Sequence, residues 1–276
     1  MSVSLAPSNP PRRWRPAPLV AGSIGLHGLA GLGIVALPES WPWALGAVAA
    51  NHLVLSAAGL WPRSRSLGPN MTRLPGPARA RGEIALTFDD GPDPEVTPRV
   101  LEILQARGCR ATFFCIAERA RAHASLCREI VRRGHAIENH SLGHRASFPL
   151  LTLGGFRREI GSAQSALEEI AGSAPRFFRP PAGLRNPLLD PVLHEYGLDL
   201  VTWTRRGFDT RERDAALVSR RLLRDLGAGD ILLLHDGHAA RTRAGVPVVL
   251  EALPRVLDGA QRAALRPVTL RQAIDP

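Results

Sequence analysis

Two adjacent carboxylates, Asp89 and Asp90, follow an apolar segment at 84–88 that is typical of a buried β-strand. Successive side chains leave a strand on opposite faces. Both carboxylates can reach one pocket only if the chain turns sharply after the strand, which Gly91-Pro92 would permit. One carboxylate could then bind a metal while the other accepts a proton. The alternative is a solvated turn, because these residue types are common in turns without chemical function.

Two histidines, His140 and His144, stand four residues apart after a short apolar segment at 135–137. On a helical turn this spacing places both imidazoles on one face, and neutral imidazole is a good zinc ligand. The pair alone is weak evidence for a metal site. Six other histidines are interpreted as ordinary surface or core residues, the last of them set apart only by its closeness to His235: His27, His52, His123, His135, His194 and His238.

Three more polar side chains follow apolar segments. Arg179 precedes two prolines, which would hold its guanidinium and a following backbone N–H in place as preorganised donors for an oxyanion. Asp209 follows a segment at 198–203, and His235 follows one at 230–234. In parallel α/β proteins the active site is built at the carboxyl ends of the strands. We therefore expect these groups to converge with the residues above.

Alternating strands and helices are needed to position these groups. The alternation predicts a parallel sheet, and an open doubly wound sheet would satisfy the same pattern. The predicted strands lie near 84–88, 111–116, 135–138, 176–179, 198–203, 230–234 and 266–269, and the predicted helices near 97–107, 118–133, 155–171, 186–196, 214–226 and 246–258.

Residues 82–275 resemble a known family, the polysaccharide deacetylases of carbohydrate esterase family four, also called the chitooligosaccharide deacetylase homology domain. Five motifs occur in the family's order: Thr-Phe-Asp-Asp-Gly-Pro, His-Ser-x-x-His, Arg-Pro-Pro-x-Gly, a Trp strand with an Asp, and Leu-Leu-His-Asp. The resemblance implies an α/β fold, a distorted (β/α) barrel with about seven strands. It also implies hydrolysis of an N-acyl amino sugar.

The resemblance assigns catalytic roles to four residues. Asp89 would be the general base that deprotonates water, and Arg179 would orient it. His235 would be the general acid for the leaving amine, and Asp209 would hold His235.

The resemblance also implies a metal site and a substrate pocket. Asp90, His140 and His144 would bind a divalent metal, zinc in the first place, with cobalt, nickel or manganese as alternatives. Three residues would contact substrate: Ala182 through its backbone N–H, Leu233 at the acyl methyl group, and Trp203 on the fourth-motif strand.

Two motifs depart from the family's pattern. Ala182 stands where family members usually carry an aromatic residue, which would alter the shape of a subsite. The pattern Asp-x-x-Asp-Trp occurs here as Arg206-Gly-Phe-Asp-Thr210. It keeps Asp209 but loses the first acid and the Trp that normally walls the acyl pocket. We expect a wider or more polar pocket, and the sugar and acyl group stay open.

The N-terminal region is different in composition. Two uncharged apolar segments, at about 19–37 and 43–60, are each near the roughly 20 residues that span a bilayer. Trp41, Trp43 and Trp61 stand at their edges, where tryptophan favours the membrane interface. These features predict a two-helix transmembrane hairpin. The alternative is a signal peptide followed by a soluble segment.

This hairpin divides the chain into an N-terminal region at 1–61, a linker at 62–81 rich in Pro, Gly, Arg and Ser, and a catalytic domain at 82–276. Positive residues flank the hairpin on both sides, and its connecting turn has none, so the positive-inside rule places both ends in the cytoplasm. The predicted location is a bacterial-type inner membrane with the catalytic domain on its cytoplasmic face. The flanking arginines are Arg12, Arg13, Arg15, Arg63, Arg65, Arg73, Arg79 and Arg81.

Composition excludes little. The net charge is +10, and all 35 Lys and Arg residues are Arg. Anionic head groups or a substrate phosphate would suit that charge, whereas no motif for binding nucleic acid is present. Cys109, Cys115 and Cys127 are odd in number and lack zinc spacing, so they are interpreted as free thiols in a reducing compartment.

The sequence thus predicts a membrane-anchored, metal-dependent hydrolase that removes an N-acyl group, acetyl in the first instance, from an amino sugar in a polysaccharide, oligosaccharide or glycan. One alternative is deacylation or deformylation of a lipid-linked amino sugar at the inner membrane. A catalytically inactive carbohydrate-binding module is the second. Oligomeric state is left open.

Overall fold

The computed structural model describes residues 13–276. Arg12, one of the arginines that precede the first apolar segment, lies outside the described residues.

Within the described residues, eight short parallel strands form one sheet. The strands are Glu83–Asp89 (β1), Thr112–Cys115 (β2), Ala136–Asn139 (β3), Phe177–Phe178 (β4), Asp199–Leu200 (β5), Arg205–Arg206 (β6), Ile231–His235 (β7) and Arg266–Val268 (β8). Their order is β5-β4-β3-β2-β1-β7-β6, and β8 pairs with the beginning of β1.

The sheet curls because its two edges belong to one stretch of chain. β5 pairs with β4, and β6, only five residues further along, pairs with β7. The result is an incomplete barrel, which confirms the predicted distorted (β/α) barrel. The strand predicted at 198–203 is shorter in the structure, where only β5 falls within that range. The sequence did not predict β6, which lies just beyond it and pairs at the other edge of the sheet.

Helices connect the strands and cover the sheet. They are Pro18–Ala36 (α1), Trp41–Leu60 (α2), Gly76–Ala80 (α3), Val96–Ala106 (α4), Ala117–Ala122 (α5), Ala124–Arg132 (α6), Leu153–Ala171 (α7), Leu189–Glu195 (α8), Ala215–Leu223 (α9), Val248–Arg262 (α10) and Leu270–Ile274 (α11). The helix predicted at 118–133 is divided into α5 and α6 at His123, which has non-helical backbone angles.

The two faces of β1 serve different purposes. Ile84, Leu86 and Phe88 pack into the main apolar cluster that α4 and α10 share. The alternate residues of the strand, which include Thr87 and Asp89, therefore point into the barrel. Strand β7 follows the same rule, and the barrel interior is apolar at its lower end and polar at the carboxyl ends of its strands.

Helices α1 and α2 are both long and apolar enough to cross a bilayer. Only 11% of the 18-residue apolar stretch in each is buried, so neither is a core helix. They pack against each other as a hairpin, and their few polar side chains meet. Asn51 Nδ2 donates to Ser23 Oγ at 2.8 Å, and the Nε2 atoms of His27 and His52 lie 3.3 Å apart. Such bonds between helices satisfy polar groups that an apolar surrounding would leave unpaired.

The segment at 62–81 packs along the barrel. Leu67 and Leu74 are buried, and Met71 forms a parallel bridge with Val201 just beyond β5. The region predicted to be a linker thus contacts the domain over much of its length.

The end of α2 reaches the loop after β4. The Gly59 carbonyl accepts a hydrogen bond from Arg185 N at 3.2 Å. Gly183 is packed so closely that an added Cβ would lie 2.6 Å from Pro62 Cβ and 2.7 Å from Trp203 Cη2. The hairpin therefore ends beside the carboxyl ends of the strands.

Candidate active site

Asp89 and His235 are neighbours at the ends of adjacent strands. They are paired in register across β1 and β7, and strand alternation points both into the barrel. Both are nearly fully buried. A carboxylate and an imidazole are thus held side by side at the rim that sequence reasoning had predicted.

Asp90 reaches the same cleft through an unusual backbone. As the next residue after Asp89, it would face outward in an extended strand, but its φ is 70°. Left-handed angles cost a non-glycine residue about 1–3 kcal/mol and are tolerated where surrounding structure holds them. The turn places the Asp90 side chain among the same lining residues as Asp89.

The three predicted metal ligands converge. The Nε2 atoms of His140 and His144 each lie 3.1 Å from Oδ1 of Asp90, and one ligand atom from each residue lies within 4.8 Å of the others. Nδ1 of His140 donates to the Arg179 carbonyl at 2.7 Å. That bond fixes the ring so that Nε2 faces the cluster, as is usual for metal-bound histidine.

The two histidines do not lie on a helix, which corrects the expected helical turn. They belong to an irregular loop after β3, and His144 has a φ of 51°. Side chains hold this loop: Asn139 Oδ1 accepts from Ser141 N at 2.9 Å, and Ser141 Oγ accepts from His144 N at 3.1 Å.

These contacts move the imidazole pKa values in opposite directions. Burial disfavours the protonated form of both rings. For His144 burial prevails and the pKa is lowered. For His140 the negative charges of Asp89 and Asp90 outweigh burial and the pKa is raised. Asp90 is also buried, yet its bonds to His140 and His238 hold its pKa well below the usual range.

Arg179 is a fully buried cation that fills the barrel interior. Nη1 donates to Asp89 Oδ1 at 2.6 Å and to Thr87 Oγ1 at 2.8 Å. Nε and Nη2 donate to the carbonyls of Val201 and Thr202. The guanidinium is thus fully paired, and it fixes one oxygen of Asp89. Removing one partner of a buried pair of this kind costs about 3–5 kcal/mol of stability.

Asp209 holds His235 by two bonds. Its Oδ1 accepts from His235 Nδ1 at 2.8 Å, and its Oδ2 accepts from His235 N at 2.7 Å. Burial alone would lower the pKa of His235, but Asp209, with Asp89 and Asp90, outweighs burial and raises that pKa to about 9. The ring is therefore protonated at neutral pH, with Nε2 left to donate.

The predicted substrate contacts line a cleft of about 210 Å³ above these groups. Ala182 has left-handed angles (φ 55°, ψ 7°) within the turn that follows Pro180. Both residues of the altered fourth motif line the same cleft. The lining residues outside the catalytic and metal groups are Ala182, Trp203, Arg206, Thr210, Leu233 and His238.

Sequence reasoning missed His238. Its Nδ1 lies 3.2 Å from Asp90 Oδ2, and Arg119 contacts its other ring nitrogen at 2.6 Å while donating to the Asp90 carbonyl. His238 is half-exposed at the rim of the cleft. Its spacing of three from His235 was the available signal, and only the turn after β7 brings it to Asp90.

Asp236 supports the site from below. It is fully buried and accepts from Thr97 Oγ1 at 2.5 Å. Burial, together with the nearby charges of Asp90 and Asp89, raises its pKa to about 7. It packs so tightly on Gly91 that an added Cβ there would lie 2.2 Å from its Oδ2. The presence of glycine at position 91 of the first motif is therefore explained by the lack of space for a side chain.

Known proteins share this sequence and fold. Residues 77–201 match the model of the polysaccharide deacetylase family. A peptidoglycan-N-acetylglucosamine deacetylase of Bacillus cereus is 31% identical over 178 residues, which span 64% of this chain and 64% of that protein. A chitooligosaccharide deacetylase of Azorhizobium caulinodans is 37% identical over 166 residues, 57% of this chain and 75% of that protein.

The fold comparison agrees. The crystal structure of the Bc1960 peptidoglycan N-acetylglucosamine deacetylase superposes with a TM-score of 0.67 and 27% identity, covering 74% of this chain and 92% of that one. The family resemblance of the five motifs is confirmed by the sequence matches and by the shared barrel. The chain belongs to the polysaccharide deacetylase family.

Proposed function

We propose that this protein is a metal-dependent hydrolase that removes an N-acyl group, acetyl in the first instance, from an amino sugar. The observation that carries the proposal is the pairing of Asp89 with His235 across β1 and β7, each held by its own partner, Arg179 or Asp209. A site that only bound sugar would need neither a fixed base nor a fixed acid. The relatives named as N-acetylglucosamine and chitooligosaccharide deacetylases support the same activity.

The donor set of Asp90, His140 and His144 fits a divalent transition metal. Two imidazoles and one carboxylate suit zinc, and also cobalt, nickel or manganese. His140 is already held in the tautomer that leaves Nε2 free. When bound, such a metal would supply Lewis-acid chemistry, lowering the pKa of water and polarising the acyl carbonyl.

Groups of the protein itself carry out the remaining steps. Asp89, with one oxygen held by Arg179, accepts a proton as the water oxygen attacks the acyl carbon. The backbone N–H of Ala182 stabilises the oxyanion. Nε2 of His235 then gives its proton to the leaving nitrogen as the C–N bond breaks. The products are a carboxylate and a free amine.

A second candidate substrate is a lipid-linked amino sugar. It is favoured by the close approach of Pro62, two residues after α2, to Gly183, which also packs against the cleft residue Trp203. If α1 and α2 span the membrane, the cleft opens close to the membrane surface, where a sugar on a lipid carrier would be presented. A finished polysaccharide would not require a cleft close to the membrane surface.

The test is metal-dependent release of acetate or formate by the full chain in detergent. Short N-acetylated oligosaccharides and a lipid-linked N-acylated sugar pool are offered separately. Asp89→Asn is expected to lower kcat at least about 100-fold, because general-base catalysis contributes roughly that much or more. Metal content, measured by elemental analysis, is expected to stay at one per chain.

Asp93→Asn is the matched control, since Asp93 lies three residues beyond Asp90 and its Oδ1 only accepts from the N–H groups of Glu95 and Val96. It is expected to keep wild-type turnover. Release that survives both chelation and Asp89→Asn would contradict the proposal. Stoichiometric metal without turnover of any substrate would favour the binding-module alternative.

A further inference from the structure

Arg206 lines the cleft, whereas Arg179 is fully buried in the barrel interior, and the surroundings of the two side chains differ. Arg206 lies on β6, paired in register with Leu233 of β7, so its position is set by an edge strand of the incomplete barrel. Both residues line the cleft, together with Asp89, Asp90 and His235.

The Arg206 guanidinium is positioned by aromatic rings rather than by acids. Its central carbon lies 5.3 Å from the centre of the Trp203 ring and 5.0 Å from that of Phe208. Stacking of this kind holds a planar cation while leaving its N–H edge free to bind.

Part of that N–H edge has no partner. Nε of Arg206 is buried and makes no hydrogen bond, and no carboxylate of residues 13–276 forms an ion pair with the side chain. Burial lowers the pKa of the Arg206 guanidinium, which means that the cation is poorly solvated. A buried donor without a partner is destabilising. A ligand that supplied an acceptor would relieve this destabilisation.

Arg179, buried in the barrel interior, provides the comparison. All of its donor nitrogens are satisfied by Asp89, Thr87 and backbone carbonyls. Four hydrogen bonds thus hold Arg179 in place, and none of them is to a group outside the protein. Arg206 is the lining arginine with an unused donor. The carboxylates of Asp209, Asp89 and Asp90 act on its charge from a distance without bonding to it, and Arg211 adds a positive charge nearby.

We propose that Arg206 is a specificity-determining residue that binds an oxyanion carried by the amino-sugar substrate, either a phosphate or a carboxylate. Guanidinium recognises both groups through paired N–H donors. The inference rests on the proposed function, because it concerns which N-acyl sugar that site accepts. A neutral oligosaccharide is then expected to have a lower kcat/KM than an anionic amino sugar.

The experiment compares neutral and anionic sugars on the full chain in detergent with metal supplied. The neutral probe is di-N-acetylchitobiose, and the anionic probes are N-acetylglucosamine 1-phosphate and N-acetylmuramic acid, which carry a phosphate and a carboxylate. Wild type is expected to prefer one anionic probe over the neutral one in kcat/KM. The preferred probe identifies the source of the oxyanion.

Arg206→Gln is expected to lower the anionic-to-neutral ratio of kcat/KM at least about tenfold, which is the size of one charge-assisted hydrogen bond. Arg206→Lys keeps the charge without the planar guanidinium, and its ratio is expected to lie between those of wild type and Arg206→Gln. Arg213→Gln, which removes the same charge from an exposed position of the same loop, is expected to keep the wild-type ratio. Melting temperatures of the variants show whether each is folded.

The same comparison is made by equilibrium binding in the Asp89→Asn background, where no turnover occurs. If wild type hydrolyses none of the probes, the proposed function fails, and this binding comparison still decides the role of Arg206. Equal affinity for anionic and neutral sugars, or an anionic preference that survives Arg206→Gln, would overturn the inference. Loss of the preference in Arg206→Gln alone supports it.

Discussion

At the scale of single residues, Asp89 and His235 are neighbours, and each has its own charged partner. Asp89 faces the buried cation of Arg179, and His235 faces the buried carboxylate of Asp209. A general acid must be protonated to act, and Asp209 favours that state of His235, whose pKa is raised to about 9. The division of labour between neighbouring groups follows from the partners that the fold provides.

The Asp209–His235 pair gives a pH prediction. Asp209→Asn removes the negative charge that raises the pKa of His235 to about 9, so this pKa falls. Because the general acid acts only when protonated, activity is lost as pH rises through its pKa. The alkaline limb of the kcat profile is therefore expected to move to lower pH by at least about one unit.

A pH series of initial rates measures this shift. Asp225→Asn is the control, since Asp225 is exposed and asparagine tolerates its left-handed φ of 52°. Its profile is expected to match wild type. An unmoved alkaline limb in Asp209→Asn would remove His235 from the role of general acid.

At the scale of elements, left-handed residues cluster on the loops of the site. Asp90, His144, Ala182 and His238 all have positive φ and all line the cleft. Strands β1, β3, β4 and β7 end immediately before these loops, so rigid elements hold backbone that would otherwise relax. Strain of this kind is tolerated at functional sites because packing holds it.

Gly183 joins two elements, and its replacement tests that contact. Gly183→Ala would place a methyl group against Pro62 and Trp203 at a φ of 75°. Both the clash and the backbone strain are expected to destabilise the protein by at least about 2 kcal/mol, a fall of roughly 4–8 °C in melting temperature. Turnover is expected to fall as well, because the neighbouring Ala182 N–H moves.

Gly172→Ala is the matched control. Gly172 has a φ of 73° at the end of α7, but no atom lies within 4 Å of an added Cβ. Only the backbone cost of about 1 kcal/mol applies there. Equal melting temperatures for the two variants would show that the junction between α2 and the cleft is not tightly packed.

At the scale of the whole molecule, the hairpin and the barrel form one unit. The end of α2 bonds to the loop after β4, and the following segment pairs with the chain beyond β5. The apolar faces of α1 and α2 stay exposed along the hairpin, at Leu29, Leu32, Val35, Trp43 and Leu53. A bilayer around these faces would bring the cleft near the membrane surface.

The orientation prediction is tested by labelling and fusion. A reporter fused to the C-terminus is expected to be active only if it is of a type that functions in the cytoplasm. Glu39→Cys, in the exposed turn between α1 and α2, is expected to react with a membrane-impermeant thiol reagent added outside intact cells. The partly exposed Cys109 is expected to react only after the cells are opened. A C-terminal reporter active only outside the cytoplasm would overturn the predicted topology.

Local pattern was enough to predict much of this molecule. Short apolar segments located seven of the eight strands to within a few residues, because burial on both faces of a parallel sheet favours near-continuous apolar runs. The position of polar residues after those strands placed Asp89, His140, Arg179, Asp209 and His235 at one rim, because parallel strands share their carboxyl ends. The motif order then identified the family.

Tertiary structure alone decided the rest. Four features all depend on contacts between residues distant in the chain: the left-handed turn at Asp90, the approach of His238 to it, the extra strand β6, and the approach of Pro62, after α2, to Gly183. Local sequence carries the propensity of each segment, but it does not carry the partner that each segment meets. The unpaired donor of Arg206 is a consequence of the same kind, since it follows from what surrounds the side chain in space.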